Sequence, residues 1–447
     1  MNMSLRDQII EKIKNAGVVG AGGAGFPTHV KVNADVDTVL VNAAACEPLL
    51  ESDTYLLSAE TGAFVDGLVA LVECVGAKQG LICLKGKHKK AMAAVAEAVG
   101  HDATGRLRFF ELGDYYPAGD EHVLVKEAAG RTVPEAGIPL NVGVVVCNVE
   151  TVLNIARALK DQPVTDRYMT IAGEVVTPMV VKVPLGSMVS ELIAFAGGAK
   201  IPDFRVIDGG PMMGRVLENS EQPITKTTSG ILVLPAGHNV VAGKTMDPDK
   251  LRRITSVVCC QCSWCSDLCP RYLLGHQLRP HLLMRALGKN MENAEIRKEA
   301  LLCSECGICE KFACPMKISP REVNVQIKRE LAKKGIRWKT DGTALKTHPF
   351  RDVRKVPTSR LMQRLDVARY DSHPVFSNLV FRPTMVRIPL QQHIGAPASA
   401  VVSEGAYVRK GDLIGDIPAG AMGARIHASI DGTVISVANG FVTIKAD

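Results

Sequence analysis

The stretch CCQCSWCSDLCP occupies residues 259–270 and repeats cysteine at intervals of three residues, with a final cysteine four residues further on and a proline behind it. The in-register cysteines of this first run are Cys259, Cys262, Cys265 and Cys269. A near copy, the second run, contains Cys303, Cys306, Cys309 and Cys314, again followed by a proline. The second run has one extra residue before its last cysteine. Three thiolates this close together form the compact grip that a metal cluster needs.

Paired runs of this kind are typical of bacterial ferredoxins, in which each run gives three thiolates to one 4Fe-4S cluster and its fourth thiolate to the other. The crossed arrangement predicts one cluster on Cys259, Cys262, Cys265 and Cys314, and a second on Cys303, Cys306, Cys309 and Cys269. Zinc fits less well, because structural zinc sites usually combine paired C-x2-C hooks with a long spacer. Disulfides would need an oxidising compartment, and the chain begins with nothing that resembles a secretory signal. Cys260 is out of register and is expected not to be a ligand.

The composition indicates a globular protein of several domains. The chain has 447 residues, of which 47% are hydrophobic and 22% charged, enough for three or four domains with a sizeable core. The longest apolar stretch, residues 64–75, contains Asp66 and Glu73 and is too short and too polar to span a membrane. We therefore expect no transmembrane segment, so that any attachment to a membrane would depend on partners.

The formal charge of +7 is concentrated near the cysteines, since residues 271–360 hold 20 Lys and Arg against 9 Asp and Glu. A solvated basic face that offsets anionic, thiolate-bound clusters is the simplest interpretation. The same face could steer an acidic electron carrier or a phosphate-bearing acceptor. Nucleic acid is not expected as a partner, because the aromatic content of 4% leaves few side chains for base stacking.

The first third of the chain alternates strand-like and helix-like segments, which predicts a mostly parallel sheet covered by helices. The expected strands are residues 37–43, 80–84, 107–112 and 142–147. The expected helices are residues 5–15, 63–76, 89–99, 121–129 and one that begins near residue 149 and ends at Leu159.

A glycine-rich segment at residues 20–25 contains G-x-G-x-x-G but lacks the surroundings of a Rossmann site, since a helix precedes it and Phe26-Pro27 follows it. Glycines still allow backbone N–H groups to approach a phosphate, although a structural turn is the alternative. Asn42, Glu121 and Asn148 each stand at a strand-to-helix junction. Each alone would be a helix cap, but together beside a glycine loop they predict a ligand site.

These segments, with residues 42–48, 119–121 and 148–151, resemble the FMN and NADH site of the flavin subunit of respiratory complex I, and still more the C subunit of the Rnf electron-transport complex. The resemblance implies that the glycine loop embraces the FMN phosphate through Gly20, Gly22, Gly23 and Gly25. It implies flavin contacts from Lys31, Asn42, Gly119, Asp120, Asn148 and Thr151. It also implies that Phe26 and Glu47 face the nicotinamide nucleotide, and that Glu121 lies where flavin and nucleotide meet.

Glu47 and Glu121 are therefore the expected catalytic residues, acting by positioning the reactants. Ala44 and Ala45 replace two acids of the complex I pattern, and Asp120 replaces a glutamate, so some hydrogen bonds to flavin and nucleotide must differ.

The complete fold expectation is a multidomain α/β protein with four domains and one linker. The expected order is a flavin-binding α/β domain at 1–162, a β-grasp domain at 163–245, a helical two-cluster ferredoxin-like domain at 246–342, a linker or wrap-around segment at 343–384 and a barrel-sandwich hybrid at 385–447. Residues 408–415 resemble the hammerhead of lipoyl carriers. Asp431-Gly432 stands where the hairpin tip of a carrier would have its lysine, so we expect no modification.

A flavin domain at the front and a barrel-sandwich module at the end is the arrangement of the cobalamin reductases of propanediol-utilisation microcompartments, which the whole chain resembles. The resemblance implies FMN, two 4Fe-4S clusters and NADH as electron donor, with reduction of cob(III)alamin through cob(II)alamin to cob(I)alamin for a B12-dependent diol dehydratase. It implies an adenosyltransferase and a shell protein as partners, a cytoplasmic location within or on a microcompartment, and leaves an oligomer open.

Two other functions remain open from the sequence. One is an electron-transfer subunit of an Rnf-like membrane complex, and the other is a non-catalytic microcompartment scaffold. The sequence does not indicate where a corrinoid binds, since it contains no D-x-H-x-x-G motif, and His276, His281 and His393 are weak candidates for an axial ligand.

Overall fold

A computed structural model describes residues 3–288, 294–340 and 344–447 of the chain. Its first region contains the expected parallel sheet, with strand order β3-β2-β1-β5. The strands of this region are β1 (Thr38–Ala43), β2 (Gln79–Lys85), β3 (Leu107–Leu112), β4 (Tyr115–Tyr116) and β5 (Val144–Asn148). Its helices are α1 (Leu5–Asn15), α2 (Thr28–Lys31), α3 (Ser52–Ala59), α4 (Thr61–Cys74), α5 (Lys89–Gly100), α6 (Glu121–Ala129) and α7 (Val149–Leu159).

Burial on both faces explains why this sheet is parallel. Val39, Leu40 and Val41 of β1 are all fully buried, as expected for a strand covered by helices on each side. On one side α4 packs against α7, and Gly67 allows the close approach, because a Cβ there would lie 2.3 Å from the Val152 carbonyl oxygen. The carboxyl ends of β1 and β5 consequently lie side by side at one edge.

The second region is a five-stranded mixed sheet in the order β7-β6-β10-β8-β9. Its elements are β6 (Asp166–Gly173), β7 (Met179–Pro184), α8 (Val189–Phe195), β8 (Phe204–Asp208), β9 (Arg215–Val216), β10 (Gly230–Pro235) and α9 (Asn239–Lys244). Only β6 and β10 pair in parallel, and the remaining neighbours are antiparallel.

The cysteine region is helical, as predicted. Its helices are α10 (Pro248–Val258), α11 (Trp264–Asp267), α12 (Pro270–Leu273), α13 (Pro280–Gly288), α14 (Ala294–Lys298) and α15 (Pro320–Lys333). The expected helical spacer at 274–302 includes residues 289–293, which lie outside the described residues, as do residues 341–343 at the expected domain boundary. A π turn at Cys309–Ala313 accommodates the extra residue of the second run, since a π turn holds one residue more than an α turn.

The segment at 343–384, expected to be a linker or a wrap-around segment, contains regular structure that packs on other regions, so the expectation of a plain linker is wrong over part of its length. β11 (Val356–Pro357) pairs with β4 in antiparallel orientation, and α16 (Thr358–Leu365) follows directly. Leu361 and Leu365 of α16 are buried in a core shared with the second sheet. Apolar contacts with other regions stabilise this helix, which a search for local periodicity cannot detect.

The C-terminal region consists of two small sheets, in the orders β12-β18-β17-β14 and β13-β15-β16. Their strands are β12 (Met385–Pro389), β13 (Ser399–Ala400), β14 (Tyr407–Val408), β15 (Leu413–Asp416), β16 (Ile426–His427), β17 (Gly432–Ala438) and β18 (Phe441–Lys445). The expectation of a hairpin tip at Asp431-Gly432 is wrong. Between β16 and β17 the chain passes from one of the two small C-terminal sheets to the other, because β16 pairs with β15 whereas β17 pairs with β14 and β18.

Among the described residues, no single helix is both long and apolar enough to cross a membrane. The consecutive helices α3 and α4 meet that requirement only when they are taken together, and they are bent by 96° at their junction.

Candidate flavin site and cysteine centres

The carboxyl edge of the parallel sheet brings two of the predicted flavin ligands together. Asn42 and Asn148 are register partners on β1 and β5, each at or next to the end of its strand. The Asn42 side chain donates to the Gly119 carbonyl at 2.8 Å, and that of Asn148 donates to Asp53 at 2.8 Å. Asp53, which the sequence did not single out, thus fixes the orientation of the Asn148 amide.

The glycine-rich loop lies over this edge. Its base is closed by a hydrogen bond from the Gly20 N–H to the Phe26 carbonyl at 3.0 Å, and Thr151 accepts from the Ala21 N–H at 2.9 Å. The side chain of Phe26 is half-buried at the end of the loop. Gly22 stands close to Asn148, since a Cβ there would lie 3.0 Å from the amide nitrogen. The loop therefore approaches the strand ends as closely as glycine permits.

The exposed tip of the loop has the open space that a phosphate would need. A Cβ at Gly23 would meet no described protein atom within 4 Å, whereas Gly22 and Gly25 are crowded by protein. Gly25 adopts φ +74°, and its Cβ would lie 2.9 Å from the Gln392 carbonyl oxygen. A glycine-lined cradle, packed on one side and open on the other, fits a flavin phosphate.

A lysine and a glutamate stand at the same edge. The Lys31 ammonium donates to the Val146 carbonyl at 2.8 Å and lies 3.7 Å from the Glu121 carboxylate. Both side chains are partly exposed, so they are accessible to a ligand. The structure thus brings Lys31 and Glu121 together with the asparagines, as the resemblance implied.

Asp120 joins this edge to the cysteine region. Its carboxylate caps α6 by accepting from the His122 and Val123 N–H groups, and it forms a buried ion pair with Arg271 at 3.0 Å. Burial opposes ionisation, but the Arg271 guanidinium holds the pKa of Asp120 below its ordinary value. Asp120 is therefore a charged structural link at the start of α6.

Glu47 lies against the second sheet rather than standing free at the edge. Its carboxylate oxygens accept from the backbone N–H groups of Met212 and Met213 at 3.0 and 2.7 Å. Burial raises its pKa above the ordinary value, although these hydrogen bonds oppose the shift. The side chain expected to face the nucleotide thus holds the loop between β8 and β9.

Support for the glycine loop comes from residues that the sequence did not predict. Arg167 forms a buried ion pair with Glu150 at 2.5 Å and donates to the Ala21 carbonyl at 2.9 Å and to the Thr228 carbonyl at 2.7 Å. Glu150 stood within a matched motif, but Arg167, in the next region, carried no local signal. The backbone N–H of Ile394 also donates to Gly25, so the C-terminal region forms part of the wall.

The eight predicted cluster cysteines line two separate cavities, grouped in the crossed manner. The first cavity contains Cys259, Cys262, Cys265 and Cys314, with Cys260 beside them. The second cavity contains Cys269, Cys303, Cys306 and Cys309. All 13 cysteines fall within the described residues and none forms a disulfide.

The chemistry of both cavities suits an iron-sulfur cluster. Burial raises the pKa of Cys265 and of Cys269 to about 12, and that of Cys309 well above its ordinary value. Burial raises the pKa of all four thiols of the second cavity, and they would ionise together only with a compensating cation, which the iron of a cluster supplies. Side-chain amides already donate to sulfur, from Gln261 to Cys259 at 3.1 Å and from Asn324 to Cys303 at 3.6 Å. Hydrogen bonds of this kind tune cluster potentials.

Arg271 places a buried guanidinium close in sequence to Cys269 of the second cavity. Within the described part of the chain, its Nε and Nη1 are buried and have no hydrogen-bond partner. Arg271 follows Cys269 by two residues and pairs with Asp120 through its other nitrogen. A buried guanidinium with free N–H groups is expected to face an anionic group, such as a flavin phosphate or a cluster.

The second cavity lies closer to the flavin edge than the first. The Tyr116 hydroxyl donates to the Cys306 carbonyl at 2.7 Å, and both groups are buried. Tyr116 precedes Gly119-Asp120-Glu121 in the same turn. In the first cavity, by contrast, Cys262 is exposed, as is Cys260 beside it. We call the centre beside the flavin edge the enclosed centre, since three of its cysteines are buried and Cys303 is half-buried, and we call the other the exposed centre.

The three candidate axial histidines are already engaged by the protein. His276 contacts the Val133 carbonyl at 3.1 Å, His281 contacts the Ser266 hydroxyl at 2.7 Å, and His393 accepts from the Ala424 N–H at 3.0 Å. Burial lowers the pKa of all three. These contacts favour packing roles for them.

Four known families match consecutive parts of the chain. Residues 13–157 match the Nuo51 FMN-binding domain, residues 168–216 the SLBB domain, residues 258–319 the 4Fe-4S dicluster domain, and residues 375–446 the RnfC barrel sandwich hybrid domain. The chain thus contains an FMN-binding domain and a 4Fe-4S dicluster domain.

A solved structure supports the fold of the larger part. The NAD+-reducing nickel–iron hydrogenase in its H2-reduced state aligns with 75% of this chain and 64% of its own, at 20% identity and a TM-score of 0.50. This likeness concerns the fold alone.

Among curated proteins, the C subunit of the Na+-translocating ferredoxin:NAD+ oxidoreductase complex of Acetobacterium woodii is 35% identical over 60% of this chain and 58% of its own. The cobalamin reductase PduS of Citrobacter freundii is 41% identical over 98% of this chain and 96% of its own. That of Salmonella typhimurium is 42% identical over 99% of this chain and 98% of its own. With this identity over nearly the full length of both proteins, the chain belongs to the cobalamin reductase PduS family.

Proposed function

We propose that the chain is an NADH-dependent flavin and iron-sulfur reductase that passes single electrons to a corrinoid, from cob(III)alamin through cob(II)alamin to cob(I)alamin. The observation that supports it most directly is the pair of buried contacts between the flavin edge and the second cavity, Asp120 to Arg271 and Tyr116 to Cys306. They join a two-electron site to a one-electron site within one chain. The identity to cobalamin reductases over the full length supports a corrinoid as acceptor.

The cofactors divide the chemistry between them. A bound flavin can take two electrons as a hydride and release them singly, and each 4Fe-4S cluster carries one. In our proposal the glycine loop holds the flavin phosphate, Asn42 and Asn148 present amides at the strand ends, and Lys31 supplies positive charge. Glu121 and the half-buried Phe26 position the nicotinamide nucleotide of NADH beside the flavin.

The proposed cluster ligands are the two crossed sets that line the cavities. The first set is Cys259, Cys262, Cys265 and Cys314, and the second is Cys303, Cys306, Cys309 and Cys269. Residues 1–162 would then bind FMN and NADH, a β-grasp domain at 163–245 would support the loop, and residues 246–342 would hold two clusters. Residues 343–384 would fasten these parts, and the unmodified barrel-sandwich hybrid at 385–447 would form the wall at Gly25.

The wider setting follows the same proposal. The product, cob(I)alamin, is a strong nucleophile that an adenosyltransferase would consume to regenerate B12 for 1,2-propanediol degradation. We propose that the enzyme acts within or on a bacterial microcompartment in the cytoplasm, with a shell protein as partner. Sedimentation of the purified protein would show whether it forms an oligomer.

The decisive experiment is turnover of the purified, cluster-replete protein with FMN under anaerobic conditions. Formation of cob(I)alamin from NADH, followed by its absorption spectrum, is the expected result. Oxidation of NADH by artificial dyes without corrinoid reduction would favour an Rnf-like electron-transfer subunit. Absence of any NADH oxidation with FMN present would favour a scaffold.

Glu47→Gln tests the nucleotide side of the site. The amide would present an N–H group to the Met212 or Met213 N–H, leaving one buried donor unmatched and loosening the loop. We expect an about tenfold higher KM for NADH in dye reduction, equivalent to about 1.4 kcal/mol, with the flavin content unchanged.

Glu218→Gln is the matched control for this variant, since Glu218 is exposed and follows β9 in the same region. It should leave the KM for NADH unchanged. An unaltered KM in Glu47→Gln as well would remove Glu47 from the nucleotide site.

A further inference from the structure

The first cavity opens at a surface with the features of a docking site. Its opening is bordered by the exposed Cys262 and by Met316, which is 44% exposed. Trp264 stands between Ser263 and Cys265, which both line the cavity, and its indole is 57% exposed. Trp264 and Met316 thus expose apolar surface next to residues that line the cavity, and exposed apolar surface of this kind can serve as a binding site. We call Trp264, Met316 and Lys317 the outer rim.

The charge of the outer rim restricts what can dock there. None of the described residues that line the first cavity is an Asp or a Glu. Lys317, next to Met316, is exposed and brings a positive charge to the rim. A ligand with an apolar plane and a single anionic group fits this combination of apolar side chains and one cation.

The size of the outer rim favours a small molecule over a protein. Two apolar side chains present at most a few hundred Å², which is roughly the area of a functional patch on a monomer. A stable protein interface buries about 800 Å² on each partner. An acidic electron carrier would also require several cations, and the outer rim offers Lys317.

We propose that the outer rim is the corrinoid docking site, with the corrin macrocycle packed on Trp264 and Met316 and the phosphodiester of its nucleotide loop near Lys317. This inference rests on the proposed function and names where its acceptor binds. The conjugated corrin ring is broad, and an indole offers one of its faces a large apolar surface to pack on. The open first cavity brings the acceptor close to a one-electron centre, whereas the second cavity is enclosed.

The electrons balance without any bond change at this surface. One NADH yields NAD+, one proton and two electrons, which reduce two cob(II)alamin to two cob(I)alamin in separate encounters. The outer rim therefore needs only to bind, orient and release the corrinoid. Trp264 is a docking residue in this scheme and takes no part in proton transfer.

The test compares Trp264→Ala with Phe350→Ala in the anaerobic, cluster-replete protein. Phe350 is an aromatic residue of similar exposure, 55%, that lines neither cysteine cavity. Binding of cob(II)alamin is measured by equilibrium dialysis without NADH, so that it does not depend on turnover. We expect an about tenfold higher Kd and a similarly lower kcat/KM for cob(II)alamin in Trp264→Ala, because the stacking surface is lost.

Two further measurements make the outcome specific. Trp264→Phe should recover most of the affinity, since it keeps an aromatic plane. Dye reduction by NADH, which reports the flavin edge, should remain within about twofold in all three variants, because surface changes far from that edge have small effects. Phe350→Ala should match the wild type in every measurement.

The failures of the two proposals are distinguishable. Equal Kd and kcat/KM in wild type and Trp264→Ala would overturn the docking site while leaving the reductase intact. Binding that depends on Trp264 without any reduction by NADH would support docking and overturn the proposed function. Loss of electron transfer to an acidic ferredoxin, with corrinoid reduction unchanged, would assign the outer rim to a protein and overturn the inference.

Discussion

Two cavities built from nearly the same cysteine spacing lie in opposite surroundings. The second cavity holds Cys306 and Cys309, both buried, and is tied to the flavin edge by the Tyr116 hydroxyl. The first cavity has the exposed Cys262 at its opening and the exposed Trp264 beside it. The local ligand pattern is shared, whereas burial, hydrogen bonding and nearby charge differ, and these properties set cluster potentials.

The difference also has a geometric origin within the runs. In the first run, α11 carries the chain from Cys265 towards Cys269, whereas the second run uses the π turn Cys309–Ala313 to reach Cys314. The additional residue is thus absorbed locally, and Cys314 still reaches the first cavity. Cysteine spacing thus selects the kind of metal centre, whereas the surrounding domains decide its role in electron transfer.

The largest expected effect comes from replacing the last cysteine of either run, Cys269 or Cys314, by alanine. Cys269→Ala should remove the enclosed cluster and abolish electron flow from NADH to corrinoid, because the link to the flavin edge is lost. Cys314→Ala should remove the exposed cluster and leave dye reduction at the flavin. Iron content and the EPR spectrum of the reduced protein measure both effects, and Cys260→Ala serves as the control that keeps both clusters. If Cys314→Ala instead removed the enclosed cluster, each run would bind its own cluster.

A smaller effect is expected from the ion pair at the enclosed centre. Arg271→Met leaves Asp120 buried without its partner, and breaking a buried pair in this way costs about 3–5 kcal/mol. The matched control lies near the exposed centre, where Arg354 pairs with the more exposed Asp267 at 3.3 Å. Arg354→Met should cost no more than about 1 kcal/mol. Urea unfolding of both variants measures the loss of unfolding free energy. Equal losses would show that the two ion pairs contribute equally in spite of their different burial.

Much of this architecture was predictable because its causes are local. Apolar runs gave the strands of the first sheet, and α6 begins and ends where the sequence predicted, at Glu121 and Ala129. Asn42 and Asn148 were predictable as neighbours, since the ends of adjacent parallel strands meet at one edge. The crossed cysteine sets followed from the ferredoxin pattern that the spacing matches, and the cavities present the same grouping.

The remaining features depend on contacts between distant segments. The Asp120–Arg271 pair joins residues 151 positions apart, and no periodicity or capping signal indicates such a pair. Similarly, α16 is stabilised by the core that it enters. Local composition does not reveal such contacts, and the sequence therefore predicted a linker or wrap-around segment here. Glu47 resembled a nucleotide contact, yet its hydrogen bonds to Met212 and Met213 arise from the packing of the second sheet on the first.

The buried ion pair behind the glycine loop should make the stability of the protein depend on pH. Burial raises the pKa of Glu150 from 4.5 to about 6, although Arg167 opposes the shift. Between these values the folded protein holds more protons than the unfolded chain, so stability falls as pH rises through the window. The expected loss is about 2 kcal/mol.

Unfolding free energies of wild type and Glu150→Gln between pH 5 and 7.5 check this expectation. The variant cannot titrate at this position, so the advantage of the wild type over it should shrink as pH rises. A difference that stays constant with pH would mean that Glu150 is ionised throughout and that its pairing with Arg167 outweighs its burial.

The smallest expected effect tests whether the glycine loop binds the flavin phosphate beside the enclosed centre. A Cβ at Gly23 would meet no described protein atom within 4 Å, so Gly23→Ala should change the unfolding free energy by less than about 0.5 kcal/mol. A flavin phosphate on the loop would be displaced by the new methyl group, and we expect an about tenfold weaker affinity for FMN. Fluorescence titration of flavin-free protein measures this affinity.

Gly237→Ala is the control, since a Cβ at Gly237 would also meet no described atom within 4 Å and this glycine lies in a different turn. Equal FMN affinity in both variants would place the phosphate away from the loop tip. The enclosed cluster would then have to receive its electrons from a flavin bound elsewhere.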